Sequence, residues 1–296
     1  MIQRAITGFF FVAILVAGIL YSPLTFVLLF CLIAALSVQE FCRILNTSEK
    51  TAVVLPTALL MTTSVYLIIA QVLYLTLGTL YVFAPYFLLL MGLLIRELYL
   101  RHPDPIGNWA YGMLSQMYIA LPFSLLIWLY VFFAQPELST HYSILPDFFR
   151  NSAVYEASFL LPLSVFVFLW MSDTGAYCFG SWLGKHKLFE RISPKKSWEG
   201  FFGGLFVAIL SSIGMWYLDT LYLSAFSLPV WMGLALVVAV FGTWGDLVES
   251  LLKRKLDLKD SGSLLPGHGG MLDRFDSSLM AIPAALCYVF LVNLLP

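Results

Sequence analysis

Residues 6–20 read ITGFFFVAILVAGIL and residues 228–241 read LPVWMGLALVVAVF, so both stretches are apolar on every face of a helix. Each approaches the roughly 20 apolar residues that one helix needs to cross a bilayer. The chain of 296 residues is 60% hydrophobic and only 11% charged, whereas an average soluble domain carries about 25% charged residues. The composition excludes a water-soluble globule and predicts an all-α, polytopic integral membrane protein.

Apolar runs between polar breaks predict about nine transmembrane helices. They cover residues 5–21, 24–42, 52–73, 78–95, 109–133, 157–178, 200–218, 228–250 and 278–295. In this arrangement 15 of the 16 Lys and Arg residues fall on one side of the membrane, and only Arg150 falls on the other. Because cytoplasmic loops are enriched in Lys and Arg, we expect a cytoplasmic N-terminus.

The two halves of the chain differ in their connections. Residues 1–156 hold about five spans joined by short or weakly charged segments, which is typical of a membrane scaffold. Residues 157–296 contain two long polar segments, 179–199 and 251–277, both expected in the cytoplasm. We therefore expect the chemistry in the second half.

Acidic residues within or beside spans are expensive in lipid and are functional candidates by default. Asp246, Glu249 and Lys253 have i, i+3, i+7 spacing, which puts them on one helix face. A surface salt-bridge ladder, or a local cap in the case of Asp173, would also account for such residues. Hard divalent cations prefer carboxylate oxygens, so one or two magnesium ions are the favoured interpretation. The candidate ligands are Asp173, Asp246, Glu249, Asp273 and Asp276.

Positive charge is interleaved with these carboxylates. Residues 193–200 read SPKKSWEG, and residues 253–259 read KRKLDLK. Either basic cluster alone is also typical of binding to anionic headgroups. Carboxylates with metal, surrounded by Lys and Arg, suit phosphoryl or nucleotidyl transfer, because its transition state spreads negative charge over phosphate oxygens. The glycine-rich turn PGHGG at 266–270 adds backbone N–H groups that can cradle phosphates.

The stretch from Ser250 to Asp276, SLLKRKLDLKDSGSLLPGHGGMLDRFD, resembles the C-terminal signature of bacterial phosphatidate cytidylyltransferases. DTGAY at 173–177, SPKKSWEG at 193–200 and GDLVES at 245–250 resemble upstream motifs of the same family. The motif resemblance thus covers roughly residues 170–280, whereas the N-terminal half agrees only in having several hydrophobic spans.

The resemblance implies an enzyme that condenses CTP with phosphatidate, giving CDP-diacylglycerol and pyrophosphate for phospholipid synthesis. It implies Mg²⁺, as one or two ions or with an additional monovalent cation. It further implies a homodimer in the inner membrane of a bacterium, with the active site facing the cytoplasm and no nucleic acid as partner. Carried onto this sequence, the catalytic candidates are Asp246, Asp273, Asp276, Lys253 and Lys259. The substrate-binding candidates are Lys195, Lys196, Ser197, Arg254, His268, Gly269, Gly270 and Arg274.

Two other functions remain open from the residues. A CTP-dependent lipid kinase of the polyprenol type would also use CTP in a polytopic frame, but it would transfer the γ-phosphate to an alcohol. An ion-coupled secondary transporter would place its carboxylates near the midplane between repeats, whereas these carboxylates are expected at one leaflet.

Overall fold

The computed structural model describes residues 2–132, 159–258, 261–262 and 269–294, with side chains from residue 6 onward. Within these ranges the fold is helical, with one short β-hairpin. The helices are α1 (Ile2–Tyr21), α2 (Pro23–Thr47), α3 (Thr57–Leu77), α4 (Ala84–Tyr99), α5 (Pro105–Leu114), α6 (Leu121–Val131), α7 (Leu160–Leu183), α8 (Trp198–Tyr222), α9 (Leu228–Lys255) and α10 (Leu272–Leu294). The hairpin consists of β1 (Lys187–Phe189) and β2 (Ser193–Ser197).

In the described part of the chain, eight segments are long and apolar enough to cross a membrane. One of them, Pro105–Val131, joins α5 and α6 through a π-helical turn. The apolar part of α1, Ile6–Tyr21, is shorter. Each of the nine predicted spans overlaps one of these segments, so the all-α, polytopic prediction is confirmed. The count of nine and the cytoplasmic N-terminus stay predictions, and Arg150 lies outside the described residues.

The chain packs as two compact units. The first unit contains α1 to α5, most of α6 and residues 256–275 as far as they are described. The second contains α7, the hairpin, α8, α9 and α10 from Asp276 onward. The segment after α9 therefore packs with the N-terminal helices. The predicted division at residue 157, which assigns the chemistry to the second half of the chain, stays a prediction.

In the second unit, α7 and α8 meet along a seam of small residues. A Cβ atom built on Gly200 of α8 would lie 2.9 Å from the carbonyl oxygen of Ala176 and 3.2 Å from Cα of Gly180. The absence of side chains lets the two backbones approach closely, as in small-residue contacts between membrane helices. This seam fixes the start of α8, and with it the hairpin that precedes α8.

The turn between α8 and α9 is held by a buried carboxylate. Asp219 accepts hydrogen bonds from the backbone N–H groups of Ala225 and Phe226, at 3.1 and 2.8 Å, and from Nε1 of Trp231 at 3.0 Å. Asp219 and Trp231 are both fully buried. A buried charge is tolerated when it is fully hydrogen-bonded, and this one has a structural role.

Candidate functional site

The motif SPKKSWEG forms the second strand of the hairpin and the first turn of α8. β2 pairs antiparallel with β1, with Lys187 opposite Ser197. Ser197 is the N-cap residue of α8, and its hydroxyl accepts a hydrogen bond from the N–H of Gly200 at 3.1 Å. The side chain of Lys195 is exposed and that of Lys196 is partly buried. The two lysines are adjacent in sequence, but their positions in the strand give their side chains different exposure.

Glu199 connects the hairpin to the first turn of α8. Its carboxylate accepts hydrogen bonds from the backbone N–H groups of Lys185 and His186, at 3.1 and 3.2 Å. It also contacts Nδ1 of His186 at 2.6 Å. The N–H of Trp198 donates to the carbonyl of His186 at 2.9 Å. These contacts fix β2, and therefore Lys196, relative to the helix.

Lys196 forms an ion pair with Asp246 of α9. Its Nζ atom lies 2.6 Å from Oδ2 of Asp246, and the two side chains are 27% and 30% exposed. The other oxygen of Asp246, Oδ1, accepts a hydrogen bond from the hydroxyl of Ser250 at 3.1 Å. The carboxylate therefore has one cationic and one neutral donor, and both lie in predicted motifs.

Glu249 and Lys253 continue the same face of α9. Glu249 is fully buried, and its Oε2 lies 2.5 Å from Nζ of Lys253, whose side chain is 15% exposed. The predicted placement of Asp246, Glu249 and Lys253 on one helix face is confirmed, because α9 is continuous through Lys255. In a low-dielectric setting a fully buried carboxylate is stable when a cation is held beside it.

Asp276 of α10 joins this group. The charges of Asp246, Glu249 and Lys253 all act on its carboxylate. The approach of α10 to α9 is possible because Gly245 precedes Asp246. A Cβ atom on Gly245 would lie 2.7 Å from the carbonyl oxygen of Asp276. The glycine thus lets the two helices pack close enough for their carboxylates to interact. We call Lys196, Asp246, Glu249, Lys253 and Asp276 the charged cluster.

Asp273 lies in the first unit and holds the segment before α10. Its carboxylate accepts hydrogen bonds from the N–H of Ser261, at 2.8 Å to Oδ2, and from the N–H of Gly270, at 2.9 Å. Gly269, with φ of 82°, adopts the left-handed conformation that glycine tolerates best. Among the described residues Asp273 accepts backbone hydrogen bonds, and its predicted role as a metal ligand stays a prediction.

The remaining predicted residues are more scattered. Asp173 is exposed on α7, and Arg274 is exposed in the first turn of α10. Arg254 is also exposed, and its Nε donates to the carbonyl of Ile192 at 3.4 Å. Lys259 and His268 lie outside the described residues, so their predicted roles stay predictions.

The donor chemistry of the charged cluster matches magnesium, which is usually held by one or two carboxylates together with substrate phosphates. Among the described residues, no group of three or more His, Cys, Asp or Glu side chains is arranged to hold a metal ion by itself. A pair such as Asp246 and Asp276, close enough for their charges to interact, fits the requirement of an ion that takes its other ligands from a substrate.

Two contributors were missed by reasoning from the sequence. Ser250, whose motif does not distinguish it from its neighbours, donates a hydrogen bond to Asp246. Glu40 lies in the half predicted to be scaffold, yet its Oε2 accepts hydrogen bonds from the N–H of Leu272 at 2.9 Å and the hydroxyl of Ser261 at 3.3 Å. An acidic residue within an apolar run was the available signal. It was overlooked because the chemistry was expected in the second half.

These features define a polytopic helical membrane protein with paired carboxylates and lysines grouped at the ends of its helices. The sequence pattern of the Cytidylyltransferase family matches residues 2–292, and the chain belongs to that family. Over 123 residues it is 50% identical to the phosphatidate cytidylyltransferase of Staphylococcus aureus (strain COL). Over the same length it is 48% identical to the proteins of that name from Staphylococcus haemolyticus and Staphylococcus epidermidis. The aligned stretch is 41% of this chain and 45% of each relative, so the match spans a little under half the length of these relatives.

Proposed function

We propose that this protein transfers the cytidylyl group of CTP to phosphatidate, giving CDP-diacylglycerol and pyrophosphate. Membership of the Cytidylyltransferase family supports a nucleotidyltransferase. The names of these relatives support phosphatidate as the acceptor. The main observation in support of the proposal is the charged cluster. In it Lys196 pairs with Asp246 and Lys253 pairs with Glu249. The charges of both acids also act on the carboxylate of Asp276.

In this reaction an oxygen of the phosphatidate phosphate attacks the α-phosphorus of CTP. The bond between the α-phosphorus and the oxygen bridging to the β-phosphate breaks, and pyrophosphate leaves with that bond's electron pair. A phosphate monoester already carries negative oxygens near neutral pH, so the protein need not supply a nucleophile or a base. The task of the chain is to position two anions and to neutralise their charge.

Lys196 and Lys253 are the cations of the charged cluster that suit this task. Each is held by a carboxylate and is less than one third exposed. A lysine held in place neutralises phosphate charge without the loss of side-chain freedom that a mobile surface lysine would incur. Lys195, Arg254 and Arg274 are more exposed, and we assign them to longer-range attraction of the anionic substrates.

We further propose that Asp246 and Asp276 hold Mg²⁺, with Glu249 orienting Lys253 beside them. The bound ion would supply additional neutralisation of the phosphate oxygens. A second metal ion or a monovalent cation belongs to the same proposal. We assign Asp273 to holding the backbone at Ser261 and Gly270, as its hydrogen bonds to their N–H groups support.

The setting we propose is the inner membrane of a bacterium, with the charged cluster facing the cytoplasm and the chain forming a homodimer. The excess of Lys and Arg on one side of the predicted topology supports the orientation. Several apolar helices of membrane-spanning length support the multi-pass insertion. Phosphatidate would then enter from the bilayer with its headgroup at the same interface as the lysines.

The test uses the full chain purified in detergent, with phosphatidate, Mg²⁺ and CTP labelled in separate reactions at the α- or the γ-phosphate. We expect α-label in a lipid product and γ-label in pyrophosphate. Transfer of γ-label to the lipid would identify a CTP-dependent lipid kinase instead. Solute flux into proteoliposomes without CTP would identify a transporter. A stable labelled protein formed from α-labelled CTP without lipid would contradict direct transfer.

A further inference from the structure

Glu40 is a buried carboxylate in α2, far in sequence from the predicted site. The residue is 8% exposed. Its Oε2 accepts hydrogen bonds from the N–H of Leu272 at 2.9 Å and from the hydroxyl of Ser261 at 3.3 Å. A Cβ atom on Gly262 would lie 2.6 Å from Oε1 of Glu40. Gly262 and the backbone N–H of Leu272 therefore pack directly on this carboxylate.

Glu40 and Asp273 both form hydrogen bonds with Ser261. Ser261 donates its N–H to Asp273 at 2.8 Å, and its hydroxyl accepts the N–H of Asp273 at 3.3 Å. Gly270 donates its N–H to Asp273 at 2.9 Å. The two acids thus hold Ser261, Gly270 and Leu272 through hydrogen bonds. We call Glu40, Ser261, Gly270, Leu272 and Asp273 the clasp; all five lie in the first unit.

Burying the carboxylate of Glu40 in the clasp carries a free-energy cost. Burial of a carboxylate is unfavourable unless hydrogen bonds compensate it, and Oε1 of Glu40 is buried with no hydrogen-bond partner among the residues that the structure describes. An ionisable residue in a membrane helix is retained where it has a role. Ser261 and Leu272, which Glu40 contacts through Oε2, belong to the stretch that resembles the family signature, so the effect of Glu40 is to fix these two residues.

We propose that Glu40 is a positioning residue for cytidylyl transfer, acting as a hydrogen-bond acceptor that fixes Ser261 and Leu272. This inference rests on the proposed function. It assigns a part in the reaction to α2, which was expected to be only scaffold. The required property is the acceptor at Oε2, and not the negative charge, because both donors are neutral groups.

The variants Glu40→Leu and Glu40→Gln separate the acceptor from the charge. Leucine is similar in size and cannot accept a hydrogen bond, whereas the amide oxygen of glutamine can. Misplacing catalytic groups by about 1 Å can lower the rate about 100-fold, so we expect Glu40→Leu to lower kcat by about 10- to 100-fold with little change in KM for CTP. We expect Glu40→Gln to stay within about threefold of wild type, because it keeps the acceptor.

Glu49 provides the matched control. It is exposed just after the end of α2, so Glu49→Leu and Glu49→Gln should both leave kcat unchanged. Wild-type kcat in folded Glu40→Leu would overturn the proposal. So would a loss in Glu40→Gln as large as that in Glu40→Leu, because the charge would then be the essential property.

A second variant covers the case in which Glu40→Leu does not fold. Ser261→Ala leaves α2 intact and removes two hydrogen bonds of the clasp, the one that the hydroxyl donates to Glu40 and the one that it accepts from the N–H of Asp273. We expect kcat to fall by about tenfold, which corresponds to about 1.4 kcal/mol. Wild-type kcat in Ser261→Ala would count against the clasp.

Hydrogen exchange tests the clasp without using activity. In the purified full chain, the amide of Leu272 should exchange faster in Glu40→Leu than in wild type, and at the wild-type rate in Glu40→Gln and Glu49→Leu. Unchanged exchange in Glu40→Leu would overturn the proposal. If wild type forms no labelled lipid while this exchange pattern holds, the proposed function fails and the clasp remains as a structural device.

Discussion

Lys196 and Lys195 should differ sharply in their effect on turnover, although they are adjacent in sequence. Lys196 lies 2.6 Å from Asp246 and is 27% exposed on its side chain, whereas Lys195 is exposed. Two unit charges 4 Å apart interact by about 1 kcal/mol in water and by about 4 kcal/mol at an effective dielectric constant of 20. Because both partners retain some exposure, solvent screening favours the lower part of this range.

An interaction of about 1 to 2 kcal/mol corresponds to a change of about 5- to 30-fold. We therefore expect Lys196→Met to lower kcat/KM for CTP by this factor, and Lys195→Met by less than about threefold. Lys187→Met, at an exposed position of β1, is the control for loss of a positive charge from the hairpin. The assay is the initial rate of α-label transfer from CTP to phosphatidate at subsaturating CTP.

The variant Asp246→Asn completes a double-mutant cycle with Lys196→Met. The two losses should be non-additive, because each variant removes the same ion pair. Equal losses in Lys195→Met and Lys196→Met, or strictly additive losses in the cycle, would refute the reasoning. In either case the ion pair in the structure would not contribute to catalysis.

The other predictions concern metal, packing, folding and topology. Asp276→Asn should lower kcat by at least about 100-fold, because it removes an anionic oxygen from the proposed ion site; a wild-type rate at low magnesium would exclude that ligand. Gly245→Ala should reduce activity and stability together, by about 1 to 3 kcal/mol in unfolding free energy, as its Cβ would meet backbone 2.7 Å away. Asp219→Ala should destabilise the detergent-solubilised protein by about 1 to 3 kcal/mol by leaving the buried Nε1 of Trp231 and two backbone N–H groups of the turn without their acceptor, with normal activity per folded molecule; a melting temperature unchanged from wild type would contradict this. Cysteine at Arg254 should react only with reagent admitted to the cytoplasmic side, and cysteine at Arg150 only from the opposite side; labelling of both from one side would break the predicted topology.

The sequence was sufficient for the helices because membrane insertion depends on the local density of apolar residues, which can be read in a window of about 20 residues. The charged face of α9 could also be predicted from the sequence, because the spacing of residues along a helix is a local pattern. Gly245 could be recognised as unusual beside Asp246, but its reason, the approach of α10, became visible only in the structure.

Longer-range features were not predictable in the same way. The contact between Glu40 and Ser261 joins residues 221 positions apart, and nothing in the local pattern of either residue specifies the other. The hairpin was also missed, because strands of three and five residues carry too little alternation to distinguish them from a loop. The pairing of Lys196, rather than Lys195, with Asp246 follows from that hairpin.

The distance along the chain between Glu40 and its donors has a consequence for biogenesis. Ribosomes add about 5 to 20 residues per second, so the 221 residues between Glu40 and Ser261 take about 10 to 45 s to synthesise. During that interval α2 enters the membrane with a carboxylate whose eventual donors do not yet exist. We expect the nascent helix to keep Glu40 hydrated or paired with another group until Ser261 and Leu272 have been synthesised. The contacts of Glu40 should therefore be among the last in the protein to form.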